Sequence, residues 1–368
     1  MFRRLVVAAG AVGMAMAGLV TPGARAGVPG VSGTLAVDEL TVSDEAMATL
    51  RERWGERLVA EYGTGTWAPL KTELEGSDLA LLGLPPKRVL LAQRYPKPTT
   101  FDAKGKPQPA ADSGTAVFAG TGFFGIRPGG WLLLLSGGGI GWCSFAHVYG
   151  SPGSYSISTA GHCGKVGDTA TVVGVVGNRN PVLMDIGKFS KSTGDGGIGK
   201  DWALISVSPE YQHLVTPTMA FWGGPVGMYT NTGEVATFSY SGRSLVPTVS
   251  VTPDPFLAQQ VLHYGHGVGL GAGGTPRSGS SVSWRPTYFT FFGAISPGDS
   301  GSGTNTVTGD SLGAEREAAG INTHIYIDGL QPFKTGTGLM AGTRATEVAA
   351  ALANGQLLPY PAPAPILP

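Results

Sequence analysis

An all-β fold of short antiparallel strands, a sandwich or barrel, is predicted from about residue 115 onward, and three observations predict it. Gly 59 and Pro 27 stand beside 42% hydrophobic residues with no fixed glycine period, which argues against collagen and disorder and leaves many tight turns. Short runs rich in β-branched and aromatic residues recur between clusters of Gly, Pro and Ser. The 368 residues show no repeat of solenoid or propeller period and no heptad run, and are long enough for a sizeable core.

Taken in order, the chain opens with Arg3 and Arg4, an apolar stretch from Leu5 to Val20, and Ala24-Arg25-Ala26, a small-x-small cleavage pattern. Residues 1–26 are therefore expected as a signal peptide, and the mature protein as secreted. From Ser43, a capping residue, Met47, Leu50, Trp54 and Leu58 recur at helical spacing, so an amphipathic helix is expected to about Tyr62. Pro96, Pro98, Pro107 and Pro109 among small polar residues mark 94–114 as a linker. Residues 27–93 form an N-terminal segment of different character, either a stable appendage or a zymogen prosegment removed by cutting in that linker.

Expected strands are Ile140–His147, Ser154–Thr159, Thr169–Val176, Trp202–Val207, Thr287–Phe292 and Ala318–Ile327, with Trp131–Leu135 an apolar run of strand length. A short helix is expected over Ala345–Ala353, stopped at Asn354-Gly355, and residues 356–368 are a Pro-rich tail.

Charge narrows the function. Lys+Arg 25 against Asp+Glu 25 leaves no basic footprint, so nucleic acid and, after signal cleavage, membrane are not expected partners.

Three segments form one constellation. Ser158-Thr159-Ala160-Gly161-His162-Cys163 places His162 in a turn after a strand; Asp201 opens an apolar strand; Gly298-Asp299-Ser300-Gly301 sets Ser300 in a tight loop. A serine hydroxyl needs a base to take its proton, imidazole does so near neutral pH, and a buried carboxylate fixes the imidazole tautomer. Gly298 can bring its N–H beside that of Ser300 to face a developing oxyanion. Asp185 and Asp195 are rival acids, but neither opens such a strand. His263 and His266 read as solvent-facing histidines rather than a metal pair, and no metal or other cofactor is implied. Cys143 and Cys163, the two cysteines, are expected to pair in an exported chain.

These motifs resemble those of chymotrypsin-fold (trypsin-like) serine proteases, over about residues 115–355, with Gly161 where that family usually has Ala. The resemblance implies two antiparallel six-stranded β-barrels with a cleft between them and a C-terminal helix, preceded here by a small, partly helical N-terminal segment. It implies a catalytic triad of His162, Asp201 and Ser300, an oxyanion hole of Gly298 and Ser300, and a buried ion pair of Asp299 with a partner the sequence does not reveal. It also implies the Cys143–Cys163 disulfide and the lack of a second-barrel disulfide at Ser296. Ala294 then lies at the base of the substrate pocket, and Gly320–His324 is the strand that pairs with substrate backbone, making Thr323 and His324 wall residues. The expected function is that of a secreted serine endopeptidase (hydrolase) acting as a monomer on protein or peptide substrates. An esterase with the same triad, or a non-catalytic homologue serving as a secreted binding protein, are the alternatives.

Overall fold

Glycine- and proline-punctuated runs become strands wherever a neighbouring run offers a ladder. In the computed structural model, described residues are 44–81, 100–101, 107–108, 126–135, 139–176, 180–219, 222–234, 237–240, 245–248, 259–265, 275–308, 315–329, 332–333, 336–353 and 355–360. The expected signal peptide 1–26, most of the expected linker 94–114 and the expected tail beyond residue 360 lie outside them.

In chain order, α1 (Asp44–Tyr62), β1 (Thr66–Pro69), β2 (Glu73–Leu74), α2 (Gly76–Leu81), β3 (Thr100–Phe101) and β4 (Pro107–Gln108) come first. Then follow β5 (Trp131–Leu134), β6 (Ile140–Ser144), β7 (Val148–Tyr149), β8 (Ser156–Thr159), β9 (Thr169–Val176), β10 (Asn180–Ser192) and β11 (Ala203–Val207). After these come β12 (Gly227–Met228), β13 (Gly233–Glu234), β14 (Thr237–Tyr240), β15 (Leu245–Thr248), β16 (Gln260–Gly265) and β17 (Thr275–Trp284). The last are β18 (Tyr288–Ala294), β19 (Gly303–Thr308), β20 (Glu315–Ile327), β21 (Thr337–Arg344) and α3 (Ala345–Ala350).

The strands β20, β19, β16, β17, β18 and β21 pair in that order, and β21 pairs back onto β20, closing a six-stranded antiparallel barrel. The other large sheet has eight strands in the order β2-β6-β5-β9-β10-β11-β8-β7. Its outer strands β2 and β7 are two residues each and are not paired with one another among the described residues. The expected mostly-β fold with a C-terminal helix is present; of the two expected six-stranded barrels one is closed, and the second sheet has eight strands among the described residues.

Each sheet buries its own apolar face. Leu132, Phe145, Ile157, Val172, Phe189, Leu204 and Ile205 are buried in one cluster; Trp284, Phe289, Phe291, Ile325 and Met340 are buried in another. Each such side chain contributes roughly 2 kcal/mol. The stripe of α1 behaves as its periodicity predicts, with Leu50, Trp54 and Leu58 buried. Leu58 joins the closed barrel's cluster, and the Arg51 guanidinium donates to the Phe333 carbonyl.

One expectation changes here. His263, read as solvent-facing, is fully buried on β16, and burial lowers its pKa to about 3; His266 lies outside the described residues. The N-terminal segment pairs with both large sheets: β1 adds to β20 of the barrel and β2 to β6 of the eight-stranded sheet.

Candidate active site

The ladder between β8 and β11, with Ala203 opposite Thr159, brings the residues just outside each strand to the same end. His162 sits there in a single 3-10 turn, Gly161–Cys163, directly after β8. Asp201 enters β11 from the other side and is fully buried. Its Oδ1 accepts the backbone N–H of His162 at 3.0 Å, and its Oδ2 lies 2.5 Å from His162 Nδ1. With Nδ1 donating, the lone pair of Nε2 is left to face Ser300, whose Oγ is hydrogen-bonded to it.

Sequence explains the tight fit. A Cβ on Gly161 would lie 2.3 Å from the Gly194 carbonyl oxygen and 2.9 Å from the Trp202 nitrogen, so alanine does not fit where glycine stands. The turn is fastened from behind by the Cys143–Cys163 disulfide, Cα–Cα 6.3 Å, which joins it to β6. The same β6 sends the Ser144 N–H to the Ser300 carbonyl at 2.7 Å. Base and hydroxyl are therefore anchored to a common strand.

Ser300 lies in the turn between β18 and β19. Gly298 holds φ +98°, a left-handed conformation that favours glycine. Asp299 locks the turn: its carboxylate accepts the Ser296 N–H at 2.9 Å and pairs with the Arg277 guanidinium, both side chains being buried. Arg277 also donates to the Gly265 carbonyl at 3.2 Å. Among the described residues, no acceptor takes the N–H groups of Gly298 and Ser300. Arg277 is the residue that sequence reasoning missed; it lies 22 residues before its partner on a Gly/Ser-rich strand, with no local signal to connect the two.

The pocket residues are arranged less simply. Ala294 ends β18, and Ser296 spends its N–H on Asp299. The Thr323 hydroxyl reaches the Ala341 carbonyl at 3.4 Å. His324 is buried between two acids, Nε2 3.5 Å from Asp195 and Nδ1 3.8 Å from Asp201 Oδ2, while Nδ1 is also 2.9 Å from the Thr323 hydroxyl. Its ring centre is 6.5 Å from that of His162. Burial, above all, lowers its pKa, against the opposing pull of Asp201. Of the rival acids, Asp195 faces His324, and Asp185 accepts the Thr171 hydroxyl at 2.8 Å.

No helix among the described residues is long and apolar enough to cross a membrane. No protein-family model matches the chain, and no curated protein matches it. Among solved structures it is similar to protease A of Thermobifida fusca (18% identity, 63% of this chain, 97% of that chain, TM-score 0.35). It is also similar to a glutamic-acid-specific serine protease described as using a histidine triad in substrate binding (17%, 61% and 97%, 0.32). A homologue of alpha-lytic protease is similar at 16% identity, covering 61% of this chain and 96% of that chain, with TM-score 0.31.

Proposed function

We propose that the chain is a secreted serine endopeptidase in which Ser300 is the nucleophile, His162 the general base and Asp201 the residue that orients it. The hydrogen-bonded line from Asp201 through His162 to Ser300, each contact formed between buried side chains, is the observation that carries this reading. As Ser300 Oγ attacks a peptide carbonyl carbon, its proton passes to His162 Nε2, and Asp201 stabilises the imidazolium. The Gly298 and Ser300 N–H groups receive the oxyanion, in a turn fixed beforehand by Arg277 and Asp299. His162 then protonates the leaving amine, and water releases the acyl group by the same route in reverse.

The activity would reside in residues 115–355. Ala294 gives the substrate pocket no charge, and burial disfavours the charged form of His324, so an uncharged side chain is the favoured occupant. A fluorophosphonate probe tests the nucleophile: it should label the processed wild-type protein at Ser300 and leave Ser300→Ala unlabelled. An inert, folded and processed wild type would instead mark a binding protein, and turnover of esters but no peptides an esterase.

A further inference from the structure

The segment between α1 and α2 pairs with β20, part of which is the strand expected to bind substrate backbone. Thr66–Pro69 runs antiparallel to His324–Ile327, and the next N–H, that of Leu70, donates to the Thr323 carbonyl at 2.9 Å. Two residues later the chain has changed sheets: the Thr72 carbonyl accepts the Trp142 N–H at 2.9 Å, and Glu73 and Leu74 pair with Gly141 and Ile140. The crossing from the barrel to the eight-stranded sheet thus falls on Leu70–Lys71–Thr72. Lys71 and Thr72 line the same cavity, about 380 Å³, as His162 and Cys163.

Side chains follow the same register. Leu70 is fully buried, in the apolar cluster that contains Ile295, the neighbour of Ala294 at the expected pocket base, whereas Lys71 is exposed. Ser300 has 0% exposure, so the hydroxyl is covered in the intact chain.

We propose that this strand is the enzyme's own first substrate: Leu70 fills the specificity pocket, the Leu70–Lys71 peptide bond is the one presented to Ser300, and the uncut chain is latent. The inference rests on Ser300 being the nucleophile, and it names the substrate class, peptides with an aliphatic residue such as leucine on the acyl side of the cut bond. Ser300 Oγ adds to the Leu70 carbonyl carbon and its proton goes to His162. The Leu70–Lys71 C–N bond then breaks, with that proton passing to the Lys71 nitrogen. Water hydrolyses the Leu70 ester, leaving a Leu70 carboxylate, a new amino terminus at Lys71 and a regenerated serine. The Thr72 hydroxyl donates to the Leu70 carbonyl oxygen at 3.2 Å, and this bond must be released before the oxygen can turn to Gly298 and Ser300. Cutting in cis is accordingly slower than turnover of a free peptide.

Full-length wild type, Ser300→Ala, Lys71→Pro and Leu70→Asp, each checked for folding by circular dichroism, are followed by intact mass, amino-terminal sequencing and fluorophosphonate labelling. Wild type should split at Leu70–Lys71 and become labelled as it splits; Ser300→Ala should keep the bond. Lys71→Pro should stay uncut and unlabelled. Leu70→Asp, whose charge is expelled from an apolar pocket, should be labelled without being cut there. An active wild type with Leu70–Lys71 intact, or equal cutting of Ser300→Ala, overturns the proposal. Labelling of Ser300 in those same samples leaves the nucleophile assignment standing, while failure of every folded form to label, Leu70→Asp included, removes that assignment too.

Discussion

Asp299, one residue before Ser300, is neutralised from inside the chain by Arg277, and both side chains are buried. The turn bearing Gly298 and Ser300, the proposed oxyanion donors, is therefore set by an internal guanidinium on β17, and a newly cut amino terminus is not needed to form it. Removing one partner leaves a buried charge unpaired, which costs about 3–5 kcal/mol. Arg277→Met should lower the melting temperature and abolish peptide hydrolysis, and Arg277→Lys should restore part of each. Thermal unfolding alongside kcat/KM on a peptide substrate checks this; an Arg277→Met protein of wild-type activity refutes the role given to the pair.

Ser300→Ala should reduce kcat on peptides by roughly 10⁴-fold or more while leaving the melting temperature close to wild type, since the hydroxyl serves the reaction. His162→Ala should match it, and the double variant should be no worse than either alone, because the two groups act as a unit. Additive losses in the double variant would show that they do not.

The disulfide ties the turn of His162 to β6, across 20 residues of chain. Closing such a loop stabilises by about 3 kcal/mol in the chain-entropy model. Cys143→Ser with Cys163→Ser should lose stability of that order in urea unfolding and lose activity as the base becomes less well fixed. Mass spectrometry of the non-reduced protein should show the two cysteines in one linked peptide pair.

Acid stability should be governed by buried histidines. Burial lowers His147 to about 4 and His263 to about 3, both below the 6.5 of an exposed imidazole. Above 6.5 both are neutral folded or unfolded, so neither adds pH dependence; below it the unfolded chain takes up protons that the fold refuses. Stability is then lost as pH falls from about 6.5 toward 4, by on the order of 3 kcal/mol for His147. Urea midpoints between pH 7 and 4 should decline on that schedule, and His147→Gln should flatten the curve.

Preference at the pocket should be for uncharged residues. Lys or Arg would be desolvated with no counter-ion from Ala294, and burial disfavours the charged form of His324, so near neutral pH it gives an acidic substrate little help. A peptide library profiled at pH 8 should show leucine-like residues favoured. Strong Arg/Lys selection would mean that an acid such as Asp195 reaches the pocket.

What could be read from sequence was what is local. The helix α1 was legible because Leu50, Trp54 and Leu58 share one face, and β9 because Val172 to Val176 carries its own β propensity. The segments of the three site motifs were legible through their spacing and order. By contrast β17, Thr-Pro-Arg-Ser-Gly-Ser-Ser-Val-Ser-Trp, has almost no strand signal and is held in place by β16 and β18 on its two sides. Likewise β10 carries Gly187, where a Cβ would lie 2.1 Å from the Ser206 carbonyl oxygen, and its register shifts between Asp185 and Gly187 against β9 and between Phe189 and Lys191 against β11. Thr66–Pro69 reads as a loop because its proline and its partners, more than 250 residues away, hide the ladder that makes it a strand.

A single ribbon hydrogen-bonded to both sheets also has a mechanical meaning. While it is continuous, separation of the two sheets must break the Leu70–Thr323 and Thr72–Trp142 bonds together, so the intact chain should melt in one cooperative step. Once it is severed, each half keeps only its own edge of the ribbon, and the sheets are joined by fewer bonds, among them Ser144 N–H to the Ser300 carbonyl and Gly303 N–H to the Phe145 carbonyl, so their unfolding is less tightly coupled. Hydrogen exchange would register this as earlier opening of β6 and β20 after the proposed cut, thermal cooperativity being traded for access to Ser300.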